Sequence, residues 1–245
     1  KVNINDLVYN SESLITSSGI ENNLNLIVKN VNSESKNSKV FKNEFDSSLN
    51  ALAEFNTSYP LIKKGVKHDK IITPKISLRY NPNSTKNKTE DVRQINYDNI
   101  FDLNRLSFSD TLEGGESLTF GSKYSINDKL NKELFSAKIA NVLRLKEDEN
   151  IPQSSSIGQK NSNFVSNFLL NPTDNFKLDY QLSMDQSLNN TEYQLLSAEI
   201  NVNNFVTTFE YLNESSNYAN NSYLYNKTTY NFNKKNQLSF KTREN

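Results

Sequence analysis

The 245-residue chain has no cysteine and no tryptophan, and only one methionine and one histidine. Without cysteine there is no disulfide framework, no thiolate catalysis and no cysteine-held zinc or iron–sulfur centre. Net charge is absent as well, because 28 Lys plus Arg balance 28 Asp plus Glu. A balanced chain offers no broad positive field, so no nucleic-acid partner is expected. No run of about 18 apolar residues occurs, which excludes a membrane-spanning helix. It does not exclude spanning strands, whose alternating polarity leaves a weak hydropathy signal. Apolar residues make up only 35% of the chain, and mean hydropathy is −0.72. Soluble domains usually carry about 45–50% apolar residues, so a conventional core of this length would be thin.

What is present narrows the choice. Aromatics reach 11%, all Tyr and Phe, and with no net charge this composition does not fit a disordered chain. A sheet closed around a wet interior, with rings on its exterior, reconciles a polar composition with many large side chains. Asn is abundant, about 40 residues, and is read as compositional bias. The dominant pattern is period-2 alternation, which puts one set of side chains on each sheet face. Its clearest instance runs from Phe176 to Met184. Phe176, Leu178, Tyr180, Leu182 and Met184 share one face, and Lys177, Asp179, Gln181 and Ser183 share the other. Strands are expected near 24–31, 49–55, 71–80, 117–126, 134–145, 164–170, 176–185, 192–202, 205–213, 223–232 and 237–243. Asn171-Pro172-Thr173-Asp174 and Asn203-Asn204 supply hairpin turn chemistry. The fold expected is all-β: an antiparallel up-and-down meander of about 10–12 strands forming part of a transmembrane barrel wall.

Two long polar stretches, 81–115 and 146–163, interrupt the strands and suit the long loops found at one rim of such barrels. Within them, Glu147-Asp148-Glu149 lacks the spacing of a calcium loop and is read as solvated. His68 sits in a polar run and is expected to be exposed. Gly114-Gly115 has no phosphate-loop context and is read as a backbone kink at a strand entrance. Lys138, Arg144, Lys177 and Lys227 are candidates to line a lumen, either beside anionic sugar–phosphate or as solvated strand charges balanced by acids. No serine elbow and no histidine partner for one is present. No catalytic residue, metal ligand or cofactor site is therefore assigned.

Several ordered stretches carry a family resemblance. They are Asn22–Asn32, Ser58-Tyr-Pro-Leu-Ile-Lys63 and Ile72-Thr-Pro-Lys-Ile-Ser-Leu-Arg-Tyr-Asn-Pro82. Most specific is Asn104-Arg105-Leu-Ser-Phe-Ser-Asp110, followed by Glu113, Gly114 and Gly115 and the strand from Ser117. In order and spacing, from about residue 20 to the end, the chain resembles the LptD (organic solvent tolerance) family. It departs from the family pattern at Phe108, where Gly is usual, and at Thr111, where Arg is often found. The resemblance implies a barrel of the Gram-negative outer membrane that inserts lipopolysaccharide into the outer leaflet. It also implies an LptE-type lipoprotein plug and an LptA-type periplasmic bridge as partners.

On that basis residues 1–245 are expected to be part of a single C-terminal outer-membrane barrel domain, cut at both ends, without the periplasmic jellyroll and gate strands. Phe176, Leu178, Tyr180, Leu182 and Met184 are expected to face outer-membrane lipids. Lys177, Asp179, Gln181 and Ser183 are expected to face the lumen. Asn104, Arg105 and Asp110 are expected to hold the long loop in shape through charge-assisted hydrogen bonds. The alternatives are another outer-membrane barrel, a porin or receptor, and a secreted surface β-domain.

Overall fold

The computed structural model describes residues 1–37, 39, 43–86, 93–152, 154–215, 220–233 and 235–245. Fourteen strands make one sheet: β1 Val2–Asn10, β2 Leu14–Ile15, β3 Glu21–Ser33, β4 Asp46–Ser58, β5 Leu61–Lys63, β6 Asp69–Asn81 and β7 Gly115–Asn127; then β8 Glu133–Arg144, β9 Phe164–Thr173, β10 Phe176–Met184, β11 Thr191–Val202, β12 Phe205–Ser215, β13 Asn220–Asn231 and β14 Gln237–Glu244. The order is β1-β3-β4-β6-β7-β8-β9-β10-β11-β12-β13-β14, with β2 beside β3 and β5 beside β6. Long consecutive strands pair antiparallel, as a meander requires. Among the described residues β1 and β14 stand at the two ends of this order.

Every segment expected from the alternation lies on a strand, to within a residue at its ends. The strand number is larger because β1, β2 and β5 were not expected. In β1, apolar residues fall on both faces (Val2, Ile4 and Val8 against Leu7 and Tyr9), so no period-2 face marks it; nine pairs with β3 hold it as a strand. One turn also differs from expectation. Residues Asn171 to Thr173 belong to β9, and the reversal falls on Asp174-Asn175, with a register shift between Phe176 and Leu178. The Asn203-Asn204 reversal lies where expected, and Asn203 takes a positive φ of 52°, a conformation Asn tolerates well in tight hairpins.

The chain forms two compact units. The first comprises Lys1–Tyr59, Pro74–Gly121 and Asn141–Asn163. In it, one face of β3, β4, β6, β7 and β8 is covered by the segment that joins β6 to β7. The second comprises Pro60–Thr73, Ser122–Ala140 and Phe164–Asn245, and contains the hairpin ladder from β9 to β14.

Polarity is distributed alike in both units, and the reverse of a soluble sheet. In the first, the buried face carries Lys29, Asn50, Glu54, Arg79, Asn81, Thr119 and Arg144, while Leu24, Phe55, Leu78, Tyr80 and Leu143 on the other face are exposed. In the second, Phe168, Leu196, Ile200, Phe209, Leu224 and Phe240 are exposed. The register places the charged residues Asp179, Glu199, Glu210, Lys227 and Lys241 on the opposite face. A soluble antiparallel sheet buries its apolar face and wets the polar one. In each unit the large apolar side chains lie on an exposed face, the polarity that a barrel wall has in lipid.

Candidate functional site

The most elaborate polar construction lies in the first unit, where the β6–β7 segment returns over the buried face. Asn96 starts this return. Its side chain accepts hydrogen bonds from the backbone N–H of Asp98 and Asn99 at 3.0 and 3.1 Å, the local turn chemistry that suits Asn to such positions. Ile100, Leu106, Phe108 and Leu112 are buried, and Leu112 with Leu103 packs on Ile27 and Leu52 of the sheet.

Around that small apolar contact the docking is ionic. Arg79 donates to Glu54 Oε2 at 2.6 Å, and to the carbonyls of Asp102 and Leu103 at 2.7 and 2.6 Å. Lys29 donates to Asp6 at 2.8 Å and to the Ser109 carbonyl at 2.9 Å. Arg105, wholly buried, forks onto Glu113 through Nε at 2.7 Å and Nη2 at 2.5 Å. It also reaches Thr119 and Ser117 of β7 at 3.0 Å each. Arg144 of β8 donates to Glu113 from the other side, and to the Gly114 carbonyl. Glu113 therefore joins a guanidinium of the covering segment to one of the sheet. Burial alone would raise its carboxyl, but the charge and hydrogen bonds of Arg105, with the charges of Arg79 and Arg144, outweigh burial and hold it down at about 2.

The glycines make this approach possible. Gly114 donates its N–H to Thr85 Oγ1 at 2.7 Å. A Cβ on Gly114 would stand 2.5 Å from the Thr85 nitrogen and press on the Asn83 carbonyl. Gly115 takes a positive φ of 77°, a conformation that Gly adopts without the steric cost of a Cβ. Gly114→Ala is expected to destabilise the docked segment by about 1–3 kcal/mol through this overpacking. Limited proteolysis of residues 93–114 checks it, with faster cutting in the variant as the expected result.

The residues singled out by sequence sit as follows. Asn104 donates to the Phe108 carbonyl at 2.7 Å, closing the turn in which Ser107 has a φ of 60°. Asp110 is half-buried and, among the described residues, pairs with none of these cations. Thr111 is fully buried and accepts from the Lys86 N–H at 3.1 Å. Arg144 is occupied by Glu113 and Gly114 rather than presented to a solute. Asp148 is not simply solvated; it accepts a 2.5 Å hydrogen bond from Thr85 and lies 3.5 Å from Arg144. His68 is exposed.

In the second unit Phe176, Leu178, Tyr180, Leu182 and Met184 share one face of β10. Tyr180 stacks on Phe168 at 6.5 Å between centroids and donates to Gln194 at 3.0 Å. Lys177, Asp179, Gln181 and Ser183 share the other face. Lys177 lies opposite Glu199, and Asp179 accepts from Asn167 at 2.9 Å. Ser183 is buried, with 5% exposure. The structure brings Arg105, Gly114 and Gly115 together, while the β10 residues form a separate face in the other unit. Glu113 and Arg79, central to the network, lie within the stretches that carry the family resemblance, but nothing in the sequence assigns either a partner. Their partners are fixed only by how the segment folds back.

The arrangement holds the covering segment to the sheet through ion pairs that its own residues satisfy, and no group of potential metal ligands lies together among the described residues. No curated protein matches the chain. A family model does: LptD, LPS transport system D, over residues 21–243, which include β3 to β13 and all of β14 but its last residue. The chain belongs to the LptD family, whose role is lipopolysaccharide transport and outer-membrane assembly.

Proposed function

We propose that these residues form part of one outer-membrane barrel domain that passes lipopolysaccharide to the outer leaflet without covalent chemistry. The observation that carries the reading is the reversed polarity of the sheet: apolar side chains exposed, charged ones buried or gathered on the other face. Phe176, Leu178, Tyr180, Leu182 and Met184 face membrane lipid. Lys177, Asp179, Gln181 and Ser183 face the lumen. The charged lumen face accommodates sugar and phosphate groups while acyl chains remain with the apolar phase. An LptE-type lipoprotein fills the lumen, and an LptA-type bridge delivers the lipid from the periplasm; both partners rest on family membership. Asn104, Arg105, Asp110, Gly114 and Gly115 shape the segment that lies over the lumen face.

Depletion of the protein in its own cells tests this. Surface-accessible lipopolysaccharide is expected to fall and the lipid to accumulate inside the outer membrane. Unchanged surface lipopolysaccharide with a loss of small-solute uptake would instead favour a porin or receptor.

A further inference from the structure

Where β5 pairs with β6, two like charges stand directly opposite each other. The register sets Leu61 against Ile72, Ile62 against Ile71 and Lys63 against Lys70. Side chains directly opposite in an antiparallel pair share one face with Cβ atoms about 4.5–5.5 Å apart, and like charges there destabilise the pairing. Lys63, Lys67 and Lys70 are exposed and have no ion-pair partner among the described residues. Asp69 is next to Lys70 in the chain but is engaged elsewhere. It accepts the Gly65 N–H at 3.1 Å, which shapes the turn, and pairs with Lys129 at 2.5 Å. The hairpin thus holds two ammoniums side by side and supplies no counter-charge.

Their place on the sheet says what answers them. Alternation along β6 puts Lys70 and Ile72 on the same face as Ile76, Leu78 and Tyr80, and opposite Ser77 and Arg79,. The first five are exposed, and Ser77 and Arg79 are buried. On the exposed face, apolar side chains therefore give way to charge at the start of β6, where Leu61 and Ile72 adjoin the lysine pair. That start is the short-turn rim, because the long 82–114 segment leaves from the other end of the strand, after Asn81. Outer-membrane barrels carry their short turns on the periplasmic side. A lysine at such a boundary lays its methylenes along apolar surface and extends its ammonium to headgroup level.

We propose that the Lys63–Lys70 pair binds the phosphate of an anionic phospholipid in the periplasmic leaflet, with an acyl chain along Leu61 and Ile72. One phosphodiester between the two ammoniums relieves their repulsion through charge-assisted hydrogen bonds. Lys67, in the turn beside the almost fully exposed Val66, adds to the attraction of an anionic surface. A zwitterionic headgroup would bring a third ammonium to a site that already holds two, so charge selects the lipid with net negative charge. The proposal rests on the outward reading of the apolar face and on the short-turn rim as the periplasmic one.

The test uses the full-length protein in nanodiscs of phosphatidylethanolamine with a minor share of phosphatidylglycerol. One lipid or the other carries a photoactivatable group near the glycerol end of an acyl chain, and adducts are mapped by mass spectrometry. Per probe molecule, phosphatidylglycerol is expected to mark Leu61 and Ile72 several-fold more than phosphatidylethanolamine, while both mark Phe209 equally. Lys70→Glu turns the repelling cross-strand pair into an attracting one, so the hairpin keeps its pairing. It is nevertheless expected to abolish the preference at Leu61 and Ile72 and to leave Phe209 unaltered. Lys63→Gln is expected to lower phosphatidylglycerol adducts there and leave those of phosphatidylethanolamine unchanged. Equal marking by both lipids, or a preference that survives Lys70→Glu, overturns the site. Marking of Phe209 with none at Leu61 and Ile72 also overturns it, turns the hairpin towards an acidic protein partner, and leaves the membrane face standing. Absence of adducts at Phe209 as well overturns the membrane face itself.

Discussion

Replacing Glu113 with Ala is expected to release the segment 93–114 from the sheet. The carboxylate accepts from Arg105 at 2.7 and 2.5 Å, and from Arg144, with the guanidiniums and the carboxylate all buried. Without it two like charges remain face to face out of water. Breaking a buried pair by removing one partner costs about 3–5 kcal/mol, comparable with all that the small Leu112–Leu103 contact contributes. The expected result is rapid proteolysis between residues 93 and 114 in the variant under conditions where the parent protein is protected. Glu113→Gln is milder, because it keeps the shape and one acceptor.

The same carboxylate gives the docked segment an acid limit. Its native value is about 2 against an ordinary 4.5, so the folded state binds the proton less readily than the unfolded one. The stabilisation is fully present above the ordinary value and is lost as pH falls from there towards about 2. Protease protection of the segment should therefore decline across that window in the parent protein. In Glu113→Gln this contribution to the decline should be missing. An identical acid profile in the two proteins would contradict the role given to Glu113.

The second large effect concerns neighbouring residues on opposite faces of β11. Leu196 lies between Tyr180 and Tyr211 on the exposed apolar face, and Ser197 lies between Asp179 and Glu210 on the other. In a bilayer, Leu196→Lys places an ammonium against hydrocarbon, at about 2–4 kcal/mol near the midplane. Ser197→Lys places the same charge between two carboxylates in a wet lumen and should be neutral or mildly stabilising. The expected outcome is that Leu196→Lys folds into lipid vesicles poorly while Ser197→Lys folds like the parent. A soluble β-domain removes the penalty at Leu196, since an exposed substitution changes stability by about 0.5 kcal/mol or less. Urea titration of both variants in vesicles separates the two cases.

Strand positions were legible because alternation is a local property. Segments such as Phe176–Met184 and Gln237–Glu244 show it within a few residues, and their faces follow from parity. β1 was not legible because Leu7 and Tyr9 put apolar bulk on the face opposite Val2, Ile4 and Val8. The short β2 and β5 offer too few residues for any period. Pro commonly marks a reversal, so Asn171-Pro172 suggests a turn, whereas the strand continues to Thr173 and the register shift absorbs the difference. Arg105 stood out through its motif, but not its partners. Lys29 meets the Ser109 carbonyl across 80 residues of sequence, and Arg144 meets Glu113 across 31. Such pairings are set by the return of the covering segment, and a single charged residue in sequence carries no record of them. Arg144 and Asp148 illustrate the consequence: both read as solvent-facing charges, and both are engaged within the fold.

The central claim is that one face of this sheet meets lipid and the other meets water. Its most direct test is a cysteine scan from Phe176 to Met184 in the full-length protein in membranes, scored with a polar maleimide. The described sequence contributes no cysteine of its own, so labelling within these residues reports only the introduced thiol. Protection at Phe176, Leu178, Tyr180, Leu182 and Met184, with labelling at Lys177, Asp179 and Gln181, is the expected result. Ser183 gives no reading, because it is buried in either case. Labelling at the even positions as strong as at the odd ones would remove β10 from the membrane and contradict the account.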